Sequence, residues 1–150
     1  MKIYLGTDHA GFELKEKLKP FLVELGHEVE DLGAFNYDKN DDYPDFIIPV
    51  AKKISENSDS NKYRGIILGG SGQGEAMCAN RFKNVRAFEY YAPSRGPINI
   101  VEDSRSHNDS NIISLGARFL SEDEAKDAVK IWLETPFSGD ERHIRRISKF

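Results

Sequence analysis

Short apolar runs alternate with longer amphipathic stretches along the whole chain, and this alternation restricts the fold more than any other feature of the sequence. The runs are "KIYLGT" (2–7), "HEVEDLG" (27–33), "RGIILGG" (64–70), "VRAFEY" (85–90) and "NIISLG" (111–116). Apolar segments of that length, spaced by helical patterns, read as strands of a parallel sheet covered by helices, a doubly wound α/β arrangement with "RGIILGG" as its central strand. After the first strand Phe12, Leu14, Leu18, Phe21, Leu22 and Leu25 recur at helical spacing, Gly26 is placed to end the helix, and Pro20 is expected to kink it. A second helix is predicted through Phe46, Ile47, Val50, Ala51 and Ile54, with Pro49 inside it, and a third in "EAMCANRF". In "YAPSRGPINIVEDSRS", Pro93, Gly96 and Pro97 exclude a regular helix before about Ile98. Ser121 and Glu124 form a capping box ahead of Ala125, Ala128, Val129, Trp132 and Leu133, which share one helical face. With no repeat and no linker, residues 1–150 read as one domain, closed by a basic helical tail from about 138 to 150.

A chain of 150 residues can bury roughly 68 to 70% of its unfolded surface without disulfide or metal support. No stretch approaches the roughly 20 apolar residues of a membrane span, and the N-terminus lacks a signal-peptide core, so the expected setting is cytoplasmic with no membrane partner. Cys78 is the only cysteine; set among small apolar residues of a predicted helix, it reads as packing rather than as a nucleophile. The formal charge of −4 argues against a general nucleic-acid binder. The acidic chain has one basic exception, "DERHIRRISKF", whose plainest reading is a solvated helical tail.

In open α/β sheets ligands bind beyond the carboxyl ends of the strands. Three of those ends carry unusual residues: Asp8 and His9 after the first strand, "GGSGQGE" after the third, and His107 with Asn108 in "SHNDSN". The glycine turn lacks the spacing of a dinucleotide fingerprint, and no lysine beside Ser or Thr makes it a P-loop. Two readings remain: a tight strand-to-helix turn, or a nest of N–H groups converging on an anion. Glu75 favours a particular use of such a nest, because a carboxylate one residue beyond Gly74 would repel a phosphate. A base beside N–H donors instead suits proton removal from carbon while charge develops on a neighbouring oxygen, which is enolisation. The competing reading is an ordinary acidic residue in a first helical turn. Phosphate binding falls to the cationic tail, where Arg142 and Arg146, four apart, share a helical face, with His9 as a further donor. His107 and Asn108 suit proton transfer and oxyanion support, or else a loop histidine capping local backbone.

Taken together and in order, "GTDHAGFELK", "DYPDF", "GGSGQGEAMCANR", "SHNDSNIISLGAR" and "RHIRR" closely resemble the type B ribose-5-phosphate isomerases and the related galactose-6-phosphate isomerase subunits, over nearly the whole chain. The resemblance implies a flavodoxin-like three-layer αβα sandwich on a five-stranded parallel sheet, a homodimer or dimer of dimers with its site between subunits, and aldose–ketose isomerisation of a sugar phosphate through an enediolate without metal or cofactor. It further implies that Asp8 holds a sugar hydroxyl, that His9, Arg142 and Arg146 bind the phosphate with help from Arg118, and that Tyr43 lines the pocket. Gly70, Ser71, Gly72 and Gly74 would supply the N–H nest, His107 would open the furanose ring and Asn108 would support the developing charge. Many members carry a cysteine base where this chain has Gly69, and a threonine where it has Ser71; the sequence resembles a second branch with a glutamate base at the position of Glu75. The segment 91–106 is about five residues longer than usual, which bears on substrate choice. Ribose 5-phosphate and ribulose 5-phosphate are expected first, allose 6-phosphate, galactose 6-phosphate or a tetrose phosphate next; a sugar-phosphate-binding module without turnover, or a flavodoxin-like electron carrier, would keep the fold and change the function.

Overall fold

The computed structural model describes residues 1–92 and 99–150. Five strands, β1 (Lys2–Thr7), β2 (Glu28–Asp31), β3 (Tyr63–Gly69), β4 (Ala87–Tyr90) and β5 (Ile112–Gly116), alternate with α1 (Phe12–Glu24), α2 (Pro44–Glu56), α3 (Gln73–Ala79) and α4 (Ile100–Ser106), and α5 (Glu122–Glu134) and α6 (Glu141–Ile147) follow. All strand pairs are parallel, in the order β2-β1-β3-β5-β4, with β3 central as the sequence predicts. The last two strands are exchanged relative to the flavodoxin order 2-1-3-4-5. Burial explains the exchange: every residue of β5 is buried, as an interior strand requires, whereas three of the four residues of β4 are only half-buried. The break expected before Ile98, at Pro93, Gly96 and Pro97, lies outside the described residues, as does the middle of the lengthened 91–106 segment.

Side-chain alternation along the strands builds two cores. Ile3 and Leu5, Ile66 and Leu68, and Ile113 and Leu115 face one side, where α1, α4 and α5 cover them with Leu14, Leu18, Leu22, Val101, Val129 and Trp132. Tyr4, Ile67 and Ile112 face the other, against Ile47, Val50, Ala51 and Ile54 of α2 and Ala79 of α3. The result is the expected three-layer sandwich.

Local signals behave as written in the sequence. Ser121 Oγ accepts the Glu124 N–H while the Glu124 carboxylate accepts the Ser121 N–H, a reciprocal cap contributing about 1 kcal/mol. Gly26, at φ 81°, ends α1 with the paired bonds Gly26 N–H to Val23 O and His27 N–H to Leu22 O. Both α1 and α2 run unbroken through Pro20 and Pro49. The second strand is shorter than its apolar pattern, confined to residues 28–31.

Candidate active site

The site grows from the carboxyl ends of β1, β3 and β5. Thr7 pairs with Leu68 across the sheet and its hydroxyl donates to the Leu68 carbonyl at 3.0 Å, so Asp8 leaves β1 beside the start of the glycine turn. The turn is tied on its far side to β5 and the residues after it. Ala117 N–H donates to Gly69 O at 2.9 Å and Arg118 N–H to Gly70 O at 3.1 Å, while the Ser114 hydroxyl donates to Gly72 O at 2.6 Å. In a trans peptide the N–H points opposite to the C=O. Pinning the carbonyls of Gly69 and Gly70 therefore turns the amides of Gly70 and Ser71 away from β5, toward the strand mouth. Gly72 closes the turn at φ 83°, a left-handed conformation that glycine adopts without strain.

Glu75 lies in the first turn of α3 and is only 4% exposed. Its carboxylate fills the space next to Gly69, and a Cβ built on Gly69 would overlap the Glu75 side-chain oxygens. Burial pushes the Glu75 carboxyl above the ordinary carboxylate range; its own backbone N–H opposes this, and the charges of Asp8 and Glu89 add to it. Asp8 is buried and anchored by the Ala10 N–H at 2.9 Å. The Tyr43 hydroxyl lies over Gly74, 2.9 Å from a Cβ built there, in the same turn as Glu75. Glu89 reaches this region from β4: burial raises its carboxyl, Gln73 hydrogen-bonds it, and its Oε1 is buried without a partner. Burial, and then Glu75, push the Cys78 thiol up, so it stays protonated, in keeping with a packing role.

His9 and Arg118 line one pocket of about 370 Å³ together with Lys17 and Tyr37. The Arg118 guanidinium lies over Gly70, 3.1 Å from a Cβ built there. His9 is held by Asp41, whose Oδ1 accepts both the His9 backbone N–H at 3.0 Å and Nδ1–H at 2.6 Å. Asp8, His9 and Asp41 place three donor atoms within 4.8 Å of one another, the geometry of a possible cation ligand set, but His9 Nδ1 and Asp41 Oδ1 are already bonded to each other.

The remaining expected residues form a second group. His107 caps the C-terminus of α4, and the following Asn108 is exposed. The loop that carries them is fixed by Asp109, at φ 46°, whose carboxylate accepts from Ser60 at 2.7 Å, Arg105 at 2.8 Å and Arg86 at 2.6 Å. The His107 ring stacks on His143 of α6 with centroids 4.4 Å apart and planes 5° apart. His143 is buried, and burial, then the neighbouring Arg142, lower its pKa; its Nε2 accepts from Arg142 Nε at 3.1 Å. Arg142 is 60% exposed and Arg146 is exposed one helical turn on, so the two share a face of α6 as their spacing predicts. Among the described residues no hydrogen bond, ion pair or ring contact joins this group to Glu75, Asp8, His9 or Arg118. The chain thus holds the expected residues in two separate groups.

Three contributors escaped the sequence reading. His143 stood inside a basic run that reads as solvated, Asp41 inside an acidic loop, and Glu89 within a strand. The basic residues around His143, Arg142 and Arg145, carried no sign that its ring would be buried against His107.

The chain matches the family model described as ribose/galactose isomerase over residues 3–150. It is 40% identical over 147 residues to ribose-5-phosphate isomerase B of Mycolicibacterium paratuberculosis, covering 98% of this chain and 87% of that one. Among solved structures it is similar to ribose-5-phosphate isomerase B of Mycoplasma genitalium with bound ribulose-5-phosphate, with a TM-score of 0.90, 36% identity and coverage of 99% and 92%. A ribose 5-phosphate isomerase from Thermotoga maritima gives a TM-score of 0.87 at 40% identity, covering 99% of this chain and 95% of that one.

Proposed function

This chain belongs to the ribose/galactose isomerase family, and from that premise we propose that it interconverts ribose 5-phosphate and ribulose 5-phosphate with Glu75 as general base. His107 moves the proton that opens the furanose ring. Glu75 then removes the proton from C2 of the open aldose, the electron pair shifts toward C1, and the resulting enediolate oxygen is held by the Gly70 and Ser71 amides with Asn108. The hydrogen of the C2 hydroxyl passes to O1, and return of the first proton to C1 then gives the ketose. The enolisation step uses a carboxylate and backbone dipoles already held at the strand mouth, so transition-state charge meets oriented donors without reorganisation.

The observation that carries this reading is the overlap at Gly69. A side chain is missing at the end of the central strand, where the family pattern often places a cysteine base, and the Glu75 carboxylate occupies that volume. The raised pKa supports the role, since a stronger base removes a carbon-bound proton more readily. The sign follows: activity requires ionised Glu75, so it rises with pH as that group loses its proton.

The separation of the two groups supports a homodimer in which His107, Asn108, Arg142 and Arg146 of one protomer face Glu75, Asp8, His9 and Arg118 of the other. The phosphate then lies between His9 with Arg118 and the two arginines of α6, and the buried carboxylates keep it away from the base. The bound ribulose-5-phosphate of the Mycoplasma genitalium relative supports the choice of substrate. The test is an assay of purified protein on ribose 5-phosphate without added metal. Turnover is expected, and Glu75→Gln is expected to lower kcat at least a hundredfold while substrate still binds. Unchanged turnover in that variant removes Glu75 as the base.

A further inference from the structure

We propose that Asp41 is a positioning residue for phosphate recognition: it fixes the His9 ring so that Nε2 is presented to the phosphate in the pocket His9 shares with Arg118. The inference deepens the function proposed above and rests on its phosphate subsite.

Asp41 comes from the loop before α2, 32 residues away from His9 in the chain, and bonds it twice through one oxygen, to the backbone N–H and to Nδ1. Its side chain is 10% exposed, and among the described residues histidine is the only basic partner within ion-pair distance. Its second oxygen, Oδ2, is buried with no hydrogen-bond partner at all. A carboxylate so withdrawn from water is costly unless a hydrogen is donated to it. Asp8 Oδ2 stands 3.8 Å from the same Nδ1. Two carboxylates on one edge of the ring put the hydrogen on Nδ1, because the tautomer is set by the bond that the other nitrogen makes. Tyr37 then abuts the ring edge-on, with centroids 6.2 Å apart and planes 88° apart, on the wall of the same pocket.

The chemical consequence is a ring whose orientation is fixed before the ligand arrives. With Nδ1–H given to Asp41, Nε2 faces the incoming phosphate as an acceptor, and it becomes a donor to the phosphate by taking over the proton that a phosphate monoanion brings with it. A ring oriented by an outer carboxylate loses less freedom on binding than one free to rotate. Asp41 therefore acts on affinity, through His9, and leaves the proton transfer at Glu75 untouched.

The experiment compares the full-length protein with Asp41→Ala, Asp41→Asn and His9→Asn, alone and combined. For Asp41→Ala the KM for ribose 5-phosphate is expected to rise about tenfold with kcat within about twofold, and Asp41→Asn, which keeps an acceptor but loses the charge, should fall between. In the His9→Asn background Asp41→Ala should change KM by less than about twofold, because its effect passes through the ring. Binding of inorganic phosphate, followed by NMR titration, should weaken in step with KM, and the nitrogen shifts of the His9 ring should report hydrogen on Nδ1 in the parent and its loss of preference in Asp41→Ala. This arm needs no turnover, so a protein inert on ribose 5-phosphate overturns the isomerase reading and leaves the phosphate measurement to decide on Asp41. An unchanged phosphate affinity in both Asp41 variants, or a full Asp41→Ala effect in the His9→Asn background, overturns the proposal.

Discussion

The two groups of candidate residues differ in how they treat charge. At the mouth of β1 and β3, Asp8 and Glu75 are buried, and Glu75 is lifted in pKa by that burial. After α4 and on α6, Asn108, Arg142 and Arg146 stand in solvent, while His107 is half-buried against His143. The first group is costly to keep charged and is braced by a sheet; the second is inexpensive to keep charged and is braced by the Asp109 network and a histidine stack. The contrast indicates a division of labour. On the proposed mechanism, the carboxylate that must be desolvated to react is built into the core edge, whereas the arginines that would gather a diffusing dianion remain solvated until the substrate arrives.

That contrast can be broken at several points. Its largest consequence is the loss at Glu75→Gln, expected to reach a hundredfold or more in kcat; a comparable loss from Arg142→Ala at saturating substrate would erase the distinction between the halves. If the halves meet across a dimer, co-refolded Glu75→Gln and His107→Asn chains should regain about a quarter of parental activity, since half the dimers are mixed and each holds one intact site. No recovery places both halves in the same protomer. Arg142→Ala alone should raise KM about tenfold with kcat within about threefold, as expected for a solvated clamp. A finer test concerns Glu89, whose charge helps hold the Glu75 carboxyl up. Glu89→Gln removes that repulsion, lowers the Glu75 pKa and moves the acid limb of the rate profile to lower pH; an unmoved limb removes Glu89 from the site's electrostatics. At the small end, Cys78→Ser should leave turnover within about twofold, because its thiol is protonated and outside the turn.

The fold was legible wherever a local rule decides structure. The reciprocal cap at Ser121 and Glu124, the terminating Gly26 and the period-two strands each follow from contacts within a few residues. The exchange of β4 and β5 was not, because it depends on which strand is buried on both faces after assembly. The same boundary divides the site. Glu75 could be singled out because its sign conflicts with a phosphate-binding turn beside it in the chain. Asp41 and His143 could not, since their partners are 32 and 36 residues distant, at His9 and His107, and neither pattern nor spacing carries that information. The resemblance implied a site shared between subunits; among the described residues of the chain the expected side chains stand in two separate groups.

The crowding at Gly69 has a consequence for how such a catalyst can change over time. A thiol-bearing residue introduced there would meet the tip of the Glu75 side chain, which would have to swing aside to admit it. On the proposed mechanism, a newcomer at that spot would therefore move the incumbent carboxylate out of its working place even before taking over its task.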